Sequence, residues 1–395
     1  MRSARFHTTT LIFISFFLFG LLLILWGVVL PDLNRDLQMT AAQSGWFFLI
    51  LALGTVTGAF LGGKYVQKFD FLRLFAALCA FVAGLLLLLA MSTHSWHLWL
   101  GIFVFGLLCS ILFTIGHTLI ARLHAERRAK MMGLMDFMFS LGTLAAPFLV
   151  VLLVWLGADW RNSLQLLALS LFAVAGYALH LARQQLAFDP QTQGERKSLS
   201  YRAVLVKPAF VALALAMFGY GAVEWGNGNW FVSYAHGAQG LDPQQARLIF
   251  AAFTAGMVIS RLGFAWLIPV FGAKRLLQIL AFMMLSGAVC LKIGQTELTL
   301  TLANLLLGLG LGGIYPLLLA SAMDLDPDNG PVLSGLSNIA GSLGCQVVGL
   351  GTGLWAQAQG IGTAFWLVPI VALWLCLSAF GFSRFIKPAS QTGAG

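Results

Sequence analysis

Hydrophobic residues in this chain fall in long stretches, separated by short clusters of polar and charged ones. The stretches lie at about 10–31, 43–66, 71–93, 97–121, 131–156, 162–183, 208–234, 243–268, 274–294, 297–321, 331–356 and 361–385. Each matches the ~20 helical residues needed to cross ~30 Å of hydrocarbon. Unpaired backbone groups are costly in lipid, so a span must be a helix or part of a closed barrel, and a barrel would show alternating segments of ~10 residues. These stretches are too long and too evenly apolar for that. The pattern therefore predicts twelve transmembrane helices. The first stretch, Thr10 to Pro31, is too long for a signal-peptide core and no small-residue cleavage site follows it, so it reads as helix 1.

The spans form two sets of six. Between them lies the longest polar segment, about Gln184 to Lys207, carrying Glu195, Arg196, Lys197 and Arg202. The domain reading is an N-terminal bundle over 1–183, a cytoplasmic linker over 184–207, and a C-terminal bundle with a short tail over 208–395. Of 23 lysines and arginines, only Arg35, Arg161, Arg247 and Lys292 fall on one side; of the other 19, Arg261 lies within the eighth span and 18 border the termini and even-numbered connections. The positive-inside rule then expects both termini to be cytoplasmic, which requires an even number of spans in a cytoplasmic (inner) membrane.

The two halves also resemble each other at an offset of 202 residues. GLMDFMFSLG from Gly133 falls on GLSNIAGSLG from Gly335. At the same offset Gln43 meets Gln245, Gly54 meets Gly256, Phe69 meets Phe271, Arg73 meets Arg275 and Gly106 meets Gly308. Leucine matches are cheap in such a composition, so the weight rests on Gly, Gln, Arg and the SLG triplet. Parallel six-helix repeats with a site near the midplane are a transporter architecture.

Composition narrows the field further. Hydrophobic residues make up 59% of the chain and charged ones 9%, against about a quarter charged in a soluble domain. The net charge of +9 borders the spans, which argues for membrane topology and against nucleic acid. Cys79, Cys109, Cys290, Cys345 and Cys376 lie inside apolar stretches without metal-ligand spacing, so neither disulfides nor a zinc site is expected. Asp324, Asp326 and Asp328 alternate in DLDPDNG, but the closing glutamate of a calcium loop is missing, and a solvated turn is expected. No Walker, nucleophile-elbow, zinc-protease or dinucleotide motif is present. The chain is expected to be no enzyme, to need no cofactor or metal, and not to draw its energy from ATP.

WGVVLPDL in helix 1, FMFSLGTLAAP in helix 5, VEWGNGNWFVSYA in helix 7, FTAGMVISRLG in helix 8 and GLGLGGIYPLLLA in helix 10 carry a family resemblance. On these the chain resembles the major facilitator superfamily over nearly its whole length, and within it the fucose and glucose permease branch of sugar:proton symporters. The resemblance implies an all-α membrane protein with the major facilitator fold: twelve transmembrane helices in two six-helix bundles related by pseudo-two-fold symmetry. It also implies a monomer. The loop GGKYVQKFDFLR keeps the glycine and basic residues of the superfamily signature but has Gln67 where an aspartate is usual. Fucose-type permeases carry acidic residues in helices 1 and 4; the matching positions here are Gly27 and Ile111. Proton coupling by that pair does not carry over.

Ionisable groups within spans are expensive, which makes each a functional candidate. Glu224 lies near the middle of helix 7, and Asp136 five or six residues into helix 5. A carboxyl in a low-dielectric site can hold a proton at neutral pH and release it when water or substrate arrives, as proton coupling requires. Both are therefore candidate proton-coupling or substrate residues; for Glu224 the alternative is a structural hydrogen bond. Around Glu224 stand Trp225, Asn227, Asn229 and Trp230. Aromatic faces can stack on sugars while amides and carboxyls pair with hydroxyls; Trp230 could equally be an interface anchor.

Arg261 in helix 8 lies at a depth comparable with Asp136. By the resemblance, helices 5 and 8 face each other, and an Asp136–Arg261 gate ion pair is expected; the alternative has Arg261 reaching the cytoplasmic interface. Trp26, Ser110, Thr114, Tyr315, Asn338 and Gln346 are further candidates for the substrate cavity, against plain packing. His117, near Arg122 and His124, reads as interfacial before it reads as a relay. Asp159 and Arg161 read as a structural pair.

The leading expectation is a proton-coupled secondary transporter of a sugar or similar polar metabolite, working by alternating access. Its partners would be that small solute, protons and the bilayer. The rivals are a proton-antiport exporter of drugs or metabolites, and a non-transporting sensor or lipid-handling protein.

Overall fold

Twelve helices are long and apolar enough to cross a membrane in the computed structural model, which describes residues 2–184, 206–326 and 330–386. They are α1 (Arg5–Val28), α2 (Ala41–Gly62), α3 (Phe71–Ala90), α4 (Ser95–Leu123), α5 (Lys130–Trp155), α6 (Trp160–Arg183), α7 (Pro208–Gln239), α8 (Pro243–Phe264), α9 (Ala273–Ile293), α10 (Glu297–Leu325), α11 (Val332–Gln359) and α12 (Ile361–Ser383). Each overlaps one predicted stretch, and the bounds differ by a few residues. Most of the expected linker and Asp328 lie outside the described residues.

The chain divides into two units, Met1–Thr192 and Gln193–Gly395. In the first, α1 packs on α5, α2 on α4 and α3 on α6; in the second, α7 packs on α11, α8 on α10 and α9 on α12. The same pairing recurs at a shift of six helices. This is the physical content of the 202-residue repeat.

The repeated residues sit at two kinds of position. Gln43 and Gln245 are both third residues of a helix start, where each side chain accepts from the backbone N–H of its cap, Thr40 or Asp242, which in turn accepts from the helix. Such reciprocal caps satisfy N–H groups that a helix leaves unpaired. The repeated glycines mark helix crossings. A Cβ on Gly54 would collide with the Phe103 carbonyl and one on Gly256 with the Leu305 carbonyl; Gly106 and Gly308 meet the carbonyls of Leu51 and Phe253 in the same way. Small residues let helix backbones approach closely, and packing is what holds helices together in lipid.

That close approach gives a matched pair of substitutions. Gly308→Ala places a methyl against backbone, which does not yield as a side chain would; overpacking of this kind costs about 1–3 kcal/mol. Gly84→Ala on α3 meets nothing within 4 Å and should gain up to ~1 kcal/mol of helix propensity. Thermal unfolding in detergent should therefore move in opposite directions for the same chemical change.

Two helices depart from a single straight rod. A backbone break at Gly313 splits α10 into Glu297–Gly312 and Ile314–Leu325, just before Tyr315 and Pro316. Proline removes an N–H and crowds the preceding turn, so Tyr315 stands at a bend. After α1 the chain passes Val29 into a short helix, Leu30–Asp36.

The acidic end of that short helix changes one sequence expectation. Arg161 reaches Asp159 at 3.5 Å but Asp36 at 2.9 Å. Asp159 is occupied as the cap of α6, accepting from the Arg161 backbone N–H. Asp36 also accepts from the buried Trp160 indole at 3.0 Å, and the Arg161 guanidinium lies over the Trp160 ring. The Asp159–Arg161 pair is thus the minor half of a latch on Asp36.

Burial pulls the Asp36 carboxyl up, but hydrogen bonds from Trp160, Arg35 and Arg161 outweigh it and hold the group below the ordinary carboxylate range. A lowered folded-state pKa stabilises the fold above the unfolded value, and that contribution is lost as pH falls through the lowered one. Asp36→Asn should therefore lower the unfolding temperature near neutral pH, and the difference from the natural protein should shrink on acidification. A gap constant with pH would refute this account.

Candidate functional site

Within the second unit, α7 and α8 bring three polar side chains together. Arg261 on α8 donates through Nη2 to Glu224 Oε1 at 3.1 Å and to the Tyr220 hydroxyl at 3.0 Å. Tyr220 precedes Glu224 by four residues, one helical turn, so both project from the same face of α7; the tyrosine hydroxyl also hydrogen-bonds the carboxylate. The Tyr220 ring lies 5.3 Å from that of Tyr315 on α10, and the Tyr315 hydroxyl donates to Asn338 Oδ1 on α11 at 2.9 Å. Cys345, also on α11, lies within electrostatic range of Glu224.

Three helices that pack against α7, namely α8, α10 and α11, each supply a polar group to this network or its edge. The close crossing of α7 on α11 is again made by glycines, Gly221 and Gly344, whose Cβ atoms would strike the facing carbonyls of Gly341 and Phe218. Glu224 and Arg261 each keep 22% of their side-chain surface accessible, while Tyr220 is buried.

The structure separates the sequence candidates. Glu224 and Arg261 meet each other, and Tyr315 and Asn338 join them through Tyr220. Trp225 and Gln346 stay half-buried on α7 and α11. Other candidates are packed into the helix bundles. Asn227 is fully buried and donates to Asn304 Oδ1 at 3.1 Å; Asn229 is buried; the Trp230 indole donates to the Gly349 carbonyl at 3.2 Å. Trp26 lies fully buried between Phe47 and Phe105. In this conformation their surfaces are spent on packing, because a helix with polar residues on all sides must turn some of them inward.

In the first unit, Ser110 and Thr114 are half-buried on α4, with the Thr114 hydroxyl bonded to the Ser110 carbonyl at 3.0 Å. Asp136 on α5 has its Oδ1 3.8 Å from His117 Nε2, and its side chain is 62% exposed. His117 Nδ1 donates to the Phe113 carbonyl at 2.8 Å, which leaves Nε2 on the side of Asp136. His124 bonds Thr9 at 2.8 Å. Asp326 of the acidic turn pairs with Lys207 at 2.7 Å. Among the described residues no group of three His, Cys, Asp or Glu side chains could hold a metal.

Tyr220 is the member that sequence reasoning missed. Its signal in the sequence is the four-residue spacing to Glu224, one helical turn.

Residues 12–347 match the family model described as Major Facilitator Superfamily. Protein TsgA of Salmonella schwarzengrund (strain CVM19633) is 24% identical over 289 residues, covering 71% of this chain and 70% of the relative. The TsgA homolog of Enterobacter sp. (strain 638) is also 24% identical over 289 residues, with the same coverage. Among solved structures, the nucleoside transporter NupG superposes with a TM-score of 0.74 at 16% identity, covering 98% of this chain and 99% of NupG. A bacterial homolog of the human lysosomal transporter Spinster, in an inward-facing and unoccupied conformation, gives 0.74 at 13% identity and 98% of each chain. These structures share the fold. The chain belongs to the Major Facilitator Superfamily: it is an integral membrane transporter of a small molecule, and not an enzyme.

Proposed function

We propose that the protein is a proton-coupled secondary transporter of a small polar solute, a sugar or similar metabolite, working by alternating access in the cytoplasmic membrane with both termini inside and the monomer as the working unit. The observation that carries this reading is Glu224 in the interior of α7, held by Arg261 and Tyr220. The carboxylate is stabilised while Arg261 is present, and protonation releases the guanidinium. One proton thus changes the partners of three side chains on two helices, which is what coupling a proton to a conformational change requires.

Arg261 has one guanidinium to share. The Asp136–Arg261 gate expected from sequence enters this reading as a competing pairing, available to Arg261 when Glu224 gives it up. The test is Glu224→Gln in proteoliposomes. An outside-acid gradient should drive uphill uptake by the natural protein and none by the variant; undiminished uphill uptake by the variant would overturn the reading. Accumulation driven instead by inside-acid vesicles would establish antiport.

A further inference from the structure

We propose that Asn227 is the acceptor for protonated Glu224: once the carboxyl holds a proton, its O–H donates to Asn227 Oδ1, and Glu224 turns from Arg261 on α8 to a residue of its own helix. This rests on the coupling reading above and names where the proton is held.

The orientation of two amides is the first reason. Asn304 on α10 donates through Nδ2 to the Leu300 carbonyl at 3.2 Å, which fixes its Oδ1 as the end left for another partner. Asn227 donates through Nδ2 to that oxygen at 3.1 Å. Turning the Asn227 amide over would set oxygen against oxygen, so the chain of bonds runs one way and ends on Asn227 Oδ1, an acceptor. That oxygen is buried and meets no hydrogen-bond donor among the described residues, and Asn227 as a whole is 0% exposed. A buried acceptor left unsatisfied is costly. The place calls for a donor.

Position is the second reason. Glu224 precedes Asn227 by three residues, which puts both on one face of α7 with Cβ atoms roughly 5–6 Å apart. Helical side chains lean towards the N-terminus of their helix, so Asn227 leans over the turn that holds Glu224. An ionised carboxyl is an acceptor and gains nothing from an amide oxygen; a protonated one is a donor. The pairing is therefore open to one of the two charge states and closed to the other. The proton passes from water to a Glu224 Oε, sits in the bond to Asn227, and returns to water when the carboxylate goes back to Arg261.

The helices packed against α7 are α8, α10, α11 and α12. From α8 Arg261 reaches Glu224, while Arg247 lies near the start of that helix, almost four turns away. The titratable residues of α10 are Glu297 at its start, Tyr315 beside Tyr220, and Asp324 near its end. Those of α11 and α12 are Cys345, within electrostatic range of Glu224, and Cys376. On α7 itself Tyr220 touches the carboxylate. These are hydroxyls, thiols and charges; Asn227 adds a buried acceptor that cannot itself ionise.

Infrared difference spectra of the purified full chain, taken in detergent between pH about 9 and about 5, report a carboxyl directly. Protonated Glu224 should give a carboxylic C=O band that is missing in Glu224→Gln. Asn227→Leu withdraws a bond made only by the protonated form. In that variant the band should move to higher frequency, and its titration midpoint should fall by roughly one pH unit, a tenfold loss of proton affinity. Asn304→Leu keeps Asn227 but frees its amide to turn, and should shift both readings the same way by less. An unchanged band and midpoint in Asn227→Leu would overturn the proposal, as would their being unchanged in Asn304→Leu should Asn227→Leu fail to fold. Either result leaves coupling standing wherever Glu224→Gln has lost uphill uptake. A spectrum with no band that Glu224→Gln removes would overturn the proposal and the coupling reading together. The expected shifts, found alongside undiminished uphill uptake by Glu224→Gln, would overturn coupling alone and keep Asn227 as the acceptor.

Discussion

Replacing Arg261 with glutamine while Glu224 remains should destabilise the protein by about 3–5 kcal/mol, the usual cost of stripping the partner from a buried charge. Both side chains are only 22% accessible, so water does not make up the loss. Tyr220, buried against the pair, loses a donor at the same time. The informative comparison is the double variant, Arg261→Gln with Glu224→Gln, which has no net charge to strand. It should recover most of the loss, because replacing both members of a buried pair is close to neutral where breaking it is not. Thermal unfolding of the natural protein, both single variants and the double variant closes the cycle. Coupling well above ~0.5 kcal/mol is expected for groups in contact; additive losses would mean that the pair contributes nothing as a pair.

The second large effect is on transport. Glu224→Gln keeps the size of the side chain but holds it permanently in an uncharged form resembling the protonated acid. Uphill accumulation under an outside-acid gradient should disappear. Exchange of labelled for unlabelled solute across equilibrated vesicles should persist, since it needs the loaded protein to reorient but needs no proton released. Loss of both activities would point to a structural role for the carboxyl, and retention of both would remove Glu224 from the coupling mechanism. The split between them separates proton coupling from general damage.

Much of the fold was legible before any coordinates, for reasons that differ by level. The bilayer is a solvent of fixed thickness, so the twelve stretches read as helices almost independently of their neighbours. The offset of 202 residues was legible because it is carried by residues with strict local duties: Gln43 and Gln245 in helix caps, and Gly54, Gly106, Gly256 and Gly308 where backbones touch. Charged residues inside spans were visible for the complementary reason, that lipid tolerates so few of them.

Partners were a different matter. Arg161 stands two residues from Asp159, yet its shorter contact is to Asp36, 125 positions away. Trp26, Asn227 and Trp230 had the chemistry of a sugar site and are buried in packing, whereas Tyr220, unremarked in the sequence, touches both charges of the pair.

The sequence by itself thus determined where the chain crosses the membrane, that it repeats, and which few ionisable groups it carries inside. Hydropathy, caps and glycine contacts are properties of single positions and short windows. Only the tertiary structure decided that Arg261 meets Glu224 and Tyr220, that Asp136 stands beside His117, and which polar faces turn inward. Those outcomes depend on how each helix is rotated about its axis. A rotation of a fraction of a turn changes a side chain's neighbours entirely while leaving the pattern of apolar residues almost the same.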